Sequence, residues 1–195
     1  MSADPYPEAL PIGPGAVLRP FAESDAAELT AAIAANREHL SRWLPWAESH
    51  GFEDSVSYLA RKRAQIEAND GFEGAIVLDG RIVGAAGFHG VDWLNRSSSS
   101  GYWLAAEAVG RGLMSGTVRA LLDHAFGVWD LHRVVIEAAV DNARSRAVAE
   151  RLGLRQEGVL REARLIRGRY EDAALYAILA PDWLRSPARE ATGSA

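Results

Sequence analysis

The chain has 195 residues, 48% of them hydrophobic and 24% charged, the composition of a soluble globular protein long enough to bury a core without staples. It contains no cysteine, which excludes disulfide frameworks, thiolate metal sites, iron–sulfur clusters and thiol nucleophiles together and leaves the chemistry to oxygen and nitrogen groups. The net charge of −5 argues against a nucleic-acid partner, no apolar run approaches the roughly 18 to 20 residues that span a bilayer, and the first residues lack the basic leader and apolar stretch of a signal peptide, so a cytoplasmic protein without membrane contact is expected.

Residues 1–14 are rich in proline and glycine and read as an extended N-terminal arm, ahead of a single domain over 15–181 and a flexible C-terminal tail over 182–195. Ala16–Pro20 alternates as a short strand. Glu23-Ser24-Asp25 then opens a helical run (Ala27, Leu29, Ala32, Ile33) that ends near Asn36. Trp43-Leu44-Pro45-Trp46 sets two tryptophans around a helix-breaking proline, which fits a core plug or an apolar wall of a substrate pocket. A second helix is predicted over 52–68. It carries Lys62, the chain's only lysine, in a charged run that suits a solvated face better than a desolvated nucleophile.

Ala75–Leu78 and Arg81–His89 flank an Asp79-Gly80 turn, a strong hairpin signal, and a third strand is expected from Ser98 to Leu104. The pattern then changes to a helix (112–126), a strand (132–140), a helix (143–152) stopped by Gly153, and a last strand (175–179). An antiparallel start joined to βαβ units predicts a mixed α/β sheet with helices on both faces.

The informative junction is Tyr102-Trp103-Leu104 followed by Val109-Gly110-Arg111-Gly112-Leu113-Met114-Ser115. A strand entering a Gly-x-Gly turn and then a long helix gathers unpaired N–H groups and a positive dipole end, an anion site suited to pyrophosphate. By itself such a turn is more often a tight turn with no ligand. The next strand–helix junction carries Asp141-Asn142, Ser145 and, eight residues on, Gly153.

Here the sequence resembles the GNAT acyl-CoA-dependent N-acyltransferases, and more closely the Rim-type branch that acetylates the N-termini of ribosomal proteins. The resemblance runs from about Val17 to Leu179. It is carried by Gly101-Tyr102-Trp103-Leu104, the loop Gly110-Arg111-Gly112-Leu113, Asp141-Asn142 with Ser145, Gly153, Glu157-Gly158, and Asp172 with Tyr176. It implies a GNAT-like, mostly antiparallel sheet splayed at the cofactor site. The pantetheine of acetyl-CoA would add as a pseudo-strand along residues 102–104, its pyrophosphate would rest on residues 110–115, and Asn142 would hold a pantetheine amide, a role compatible with capping the helix at Ala143. It implies no metal, and an oxyanion donor among the backbone N–H groups near Leu104.

Two departures from the family pattern stand out. The loop has Val109 where Gln or Arg is usual and Met114 where Gly or Ala is usual, and Ala149 replaces the tyrosine that commonly protonates the departing thiolate. The resemblance therefore gives that role to Ser145, which also suits a helix start. No base transfers, because the carboxylate reported in Rim-type enzymes falls at Arg164. His89, Glu137 and Glu162 are the candidates, and an α-amine of pKa near 8 needs little help. Trp43, Trp46, Phe88 and His89 are expected on the acceptor side. The expected activity is transfer of an acetyl group to a primary amine, a ribosomal or other protein N-terminus first among them. A small amine, another acyl-CoA, or a non-catalytic acyl-CoA-binding role are the alternatives, and the sequence leaves the oligomeric state open, a homodimer included.

Overall fold

The computed structural model describes Tyr6 and residues 8–190. Eight strands form one sheet in the order β1-β2-β3-β4-β5-β6-β8-β7. The strands are β1 (Leu10–Gly13), β2 (Ala16–Pro20), β3 (Glu73–Leu78), β4 (Arg81–Asp92), β5 (Ser97–Leu104), β6 (Arg133–Ala139), β7 (Arg155–Ile166) and β8 (Arg169–Leu179). The β3–β4 turn has Asp79 and Gly80 both at positive φ, 49° and 78°, the backbone an Asp-Gly hairpin turn needs. All neighbours are antiparallel except β5 and β6.

Helices cover both faces. On one, α4 (Leu113–Gly127) and α5 (Ala143–Arg151) pack on a core of Phe88, Leu104, Leu121, Leu122, Val134, Ile136 and Tyr176. On the other, α1 (Ala26–Ala35), α2 (Arg37–Ser41) and α3 (Phe52–Glu67) cover Ala75, Val77, Ile82, Ala85 and Trp103. Each strand's alternation sends successive side chains to opposite cores.

Three expectations need correction. The N-terminal arm is not peripheral over residues 8–14: β1 pairs with β2, Ile12 is buried, and its carbonyl sits so close to α4 that a Cβ on Gly116 would stand 2.1 Å from it. The tail is not loose over 182–190, where α6 (Ala180–Leu184) and α7 (Pro187–Glu190) dock on α4. Trp183 is fully buried with Nε1 donating to Asp123 at 2.9 Å, and Arg189 reaches the same carboxylate at 3.0 Å. The remainder of arm and tail, residues 1–5, 7 and 191–195, lies outside the described residues. Finally, the last strand is one arm of a long hairpin. β7 escapes a sequence reading because it is exposed on both faces for most of its length and so shows no alternation. With β8 lying between β6 and β7, β5-α4-β6 is the single βαβ unit among the described residues.

Candidate active site

β5 and β6 pair from Ser97↔Arg133 to Ser100↔Ile136 and then part. Beyond that point β5 stays paired with β4 as far as Gly84↔Leu104, and β6 with β8 as far as Ala139↔Ala173. Residues 101–104 and 137–139 therefore face each other as two strand edges with no shared ladder. Strand edges of this kind bind extended chains through backbone hydrogen bonds.

The chain leaves the open end of β5 through a short 3-10 turn at Ala106–Ala108 and enters α4. Gly110 and Gly112 take φ of 84° and 75°, a region that strains any residue with a side chain, and at neither does any atom lie within 4 Å of where a Cβ would stand. The space over the turn is open. The first rung of α4 is Gly116 N–H to Gly112 O, so the N–H groups of residues 110–115 precede the helical ladder, with exposed Arg111 among them.

Across the gap, Asn142 caps α5: its Oδ1 accepts from Ser145 N–H at 3.1 Å. The cap fixes the first turn and so aims Ser145. Tyr102 Oη lies 3.2 Å from Ser145 Oγ and 3.2 Å from Ser145 O, bridging β5 to α5 over the splay. Burial pushes the Tyr102 phenol up, and the hydrogen bond with Ser145 offsets only part of this, so the hydroxyl keeps its proton at neutral pH.

On the opposite face of the sheet, Trp46 and Trp103 meet edge-on at 6.5 Å and, with Leu29, Ile33, His50, Asp54, Tyr58 and Arg61, wall a cavity of about 400 Å³. His89 opens onto a second cavity of about 530 Å³ shared with Ser97, Ser99, Arg133 and Val135. The tip of the β7–β8 hairpin runs past the last β6–β8 pair and meets α2, Arg167 donating to Ser41 Oγ at 2.9 Å.

Two acceptor-side expectations fail on this geometry. Phe88 is 0% exposed and packs on Trp129 at 5.3 Å in the α4 core, because the strand alternates and its neighbour His89 takes the opposite face of the sheet. Trp43 does not line the tryptophan cavity; it is half-buried under the guanidinium of Arg42, 4.9 Å from the ring centroid. Of the two carboxylates weighed as bases, Glu137 pairs with Arg164 at 3.4 Å, and Glu162 is exposed on a hairpin irregularity at φ 52°.

The sequence matches the Acetyltransferase (GNAT) domain family over residues 16–155. The chain belongs to the GNAT acetyltransferase family. It is 34% identical to the putative ribosomal N-acetyltransferase YdaF of Bacillus subtilis (strain 168), covering 85% of this chain and 92% of that protein. Among solved structures it resembles the ribosomal alpha-N-protein acetyltransferase RimL in complex with coenzyme A, at TM-score 0.84 and 27% identity over 88% of this chain and 98% of that one. It also resembles the microcin C7 self-immunity acetyltransferase MccE in complex with acetyl-CoA and AMP, at TM-score 0.85 and 26% identity over 89% and 97%. The protein is an acyl-CoA-dependent N-acetyltransferase that uses acetyl-CoA as donor.

Within the GNAT family the departures at the loop acquire a physical account. Met114 is buried beside Leu113 in the α4 core, so its bulk anchors the helix start instead of crowding the turn. Val109 is also packed against that core and offers no polar contact. A cation arrives from elsewhere: Arg151, in the last turn of α5, donates from Nη1 to the Oγ of buried Ser115 at 2.8 Å. That arginine was invisible in the sequence, since an arginine in a helix's last turn is the ordinary complement of the helix dipole.

Proposed function

We propose that this GNAT enzyme acetylates the N-terminal α-amine of a protein or peptide by direct attack in a ternary complex. The observation that carries the reading is the sheet face beside the splay, bordered by α2 on one side and by the β7–β8 hairpin on the other and bridged by Arg167 and Ser41. A passage of this kind suits the narrow, extended end of a chain better than a folded surface. The names of the relatives, a ribosomal N-acetyltransferase and an alpha-N-protein acetyltransferase, support the same acceptor class.

Each group then has a task. The open edges at 101–104 and 137–139 suit an extended pantetheine, and the N–H groups of the 110–115 turn, with Arg111 and Arg151, suit its phosphates. Acetyl-CoA supplies an acyl thioester. The amine nitrogen attacks its carbonyl carbon, a backbone N–H on the β5 edge stabilises the oxyanion, and the carbon–sulfur bond breaks towards α5. There Ser145, hydrogen-bonded to a protonated Tyr102, donates to the departing sulfur.

The deciding experiment offers acetyl-CoA with peptides bearing free or blocked N-termini, a polyamine and an aminoacyl nucleotide, and reads thiol release together with the product mass. Acetylation confined to free peptide α-amines supports the proposal. Selective acetylation of the aminoacyl nucleotide favours a small-molecule reading, for which the aromatic-walled cavity behind Trp46 and Trp103 and the likeness to MccE speak.

A further inference from the structure

Glu73, the first residue of β3, is only 7% exposed beneath α3. A buried carboxylate must be paired or hydrogen-bonded. Tyr58 Oη donates to its Oε1 at 2.6 Å, and the ammonium of Lys62 lies 2.5 Å from its Oε2. The sole lysine of the chain is thus spent on one interior carboxylate. Burial, with the Glu73 charge beside it, pushes the Tyr58 phenol well up, so Tyr58 stays a donor.

The third neighbour of Glu73 is His89, whose Nδ1 stands 3.9 Å from Oε2. Its other nitrogen points elsewhere. A Cβ on Gly101 would stand 2.1 Å from His89 Nε2, so the imidazole occupies the space that a side chain on β5 would otherwise fill. Gly101 is the first residue after the last β5–β6 pair at Ser100, where the strands part. One ring nitrogen therefore faces a buried carboxylate and the other lies over the apex of the splay, on the acceptor face. Asp70, Asp92 and Arg133 line the cavity onto which the half-exposed ring opens.

We propose that His89 accepts the proton of the attacking amine, and that the charge of Glu73, fixed by Tyr58 and Lys62 and facing Nδ1 from beyond hydrogen-bond distance, favours the tautomer with hydrogen on Nδ1 that leaves the Nε2 lone pair free. This rests on the amine-acetylation reading above. As the nitrogen–carbon bond forms and the carbon–sulfur bond breaks, the surplus proton on nitrogen passes to Nε2 and from there to water, while the sulfur leaves as thiol with the proton of Ser145 Oγ, which water then restores, so both residues end in the state in which they began. His89 is the catalytic residue and Glu73 a positioning residue.

The test uses the full chain with acetyl-CoA and a free-N-terminus peptide. His89→Gln should lower kcat on the order of 100-fold at neutral pH, leave calorimetric acetyl-CoA affinity within about twofold, and recover towards about pH 9, where an α-amine of pKa near 8 deprotonates unaided. The ring nitrogen NMR shifts of neutral His89 should report hydrogen on Nδ1 in the wild type, lose that preference in Glu73→Gln, which removes the facing carboxylate charge, and keep it in Lys62→Met, which leaves that charge in place. Wild-type kcat in His89→Gln, or hydrogen on Nε2 of the wild-type ring, overturns the proposal, the second of these even if Glu73→Gln does not fold. A wild-type enzyme that acetylates no free amine would sink the acceptor reading instead, and the ring shifts would still decide whether Glu73 sets the tautomer of His89.

Discussion

Tyr102 Oη and Ser145 Oγ stand 3.2 Å apart across the gap between β5 and α5, a hydroxyl pair bridging the two elements beside the point where β5 and β6 part. Ser145→Ala should lower single-turnover acetyl transfer by about 10- to 100-fold, a hydrogen bond to a developing charge contributing roughly 1.5 to 3 kcal/mol, with acetyl-CoA affinity little changed. Tyr102→Phe should act on the same step. The double variant should then lose less than the product of the two single effects, since the hydroxyls work through one bond. Strictly multiplicative losses would separate them.

Gly112 starts α4 at φ 75° with open space above it. Gly112→Val should sharply weaken coenzyme A binding in calorimetry, because a branched side chain fills the space over the N–H groups. The backbone strain of about 1 to 2 kcal/mol should show as a modest drop in melting temperature with a native circular dichroism spectrum. Unchanged affinity would remove the turn from the binding site.

Arg151 offers a check on the phosphate end that leaves the turn intact. Arg151→Gln should weaken coenzyme A binding several-fold and flatten its dependence on ionic strength, as one cation leaves the site. The same variant should bind a phosphate-free pantetheine thioester as wild type does. Equal weakening for both ligands would mean that the bond to Ser115 only props the helix.

Trp46 is 43% exposed, so Trp46→Ala removes little core and melting should hardly move. The expected effect is a raised acceptor KM with acetyl-CoA affinity unchanged, and added salt should slow capture of a cationic acceptor by the mouth near Asp54. A melting drop of several degrees with parallel loss of acetyl-CoA binding would return both tryptophans to a packing role.

His124 is buried against Trp129, ring centroids 4.8 Å apart, and burial lowers its pKa to about 4. The folded state therefore binds its proton less readily than the unfolded chain, whose histidine titrates near 6.5. The contribution to stability is intact above about pH 6.5 and is lost as pH falls towards 4, on the order of 3 kcal/mol across the window. Denaturation at neutral pH and at about pH 5 should show that slope in the wild type and its absence in His124→Leu.

The positions of the elements around the site were legible because each has a local cause. The Asp79-Gly80 turn, the glycines at 110 and 112, the cap at Asn142 and the stop at Gly153 are backbone requirements that a sequence states openly. Phe88 was misplaced for an equally local reason: it and His89 are adjacent on β4, and without strand pairing nothing says which of two neighbours takes which face. Pro and Gly density hid β1, whose residues are ordered by α4 and β2 rather than by their own propensity.

The sequence by itself determined the family, the donor and the glycine turn that starts α4, because these rest on short runs whose backbone geometry is encoded by the residues within them. Only the tertiary structure decided the rest. That Arg151 stands at the start of α4, that Tyr58 and Lys62 close on the buried carboxylate of Glu73, and that His89 lies over Gly101 are meetings of residues from separate elements. Such meetings are set by strand register and by which helix covers which face, and no local pattern of hydrophobicity or charge records a contact between two side chains that the sheet brings together.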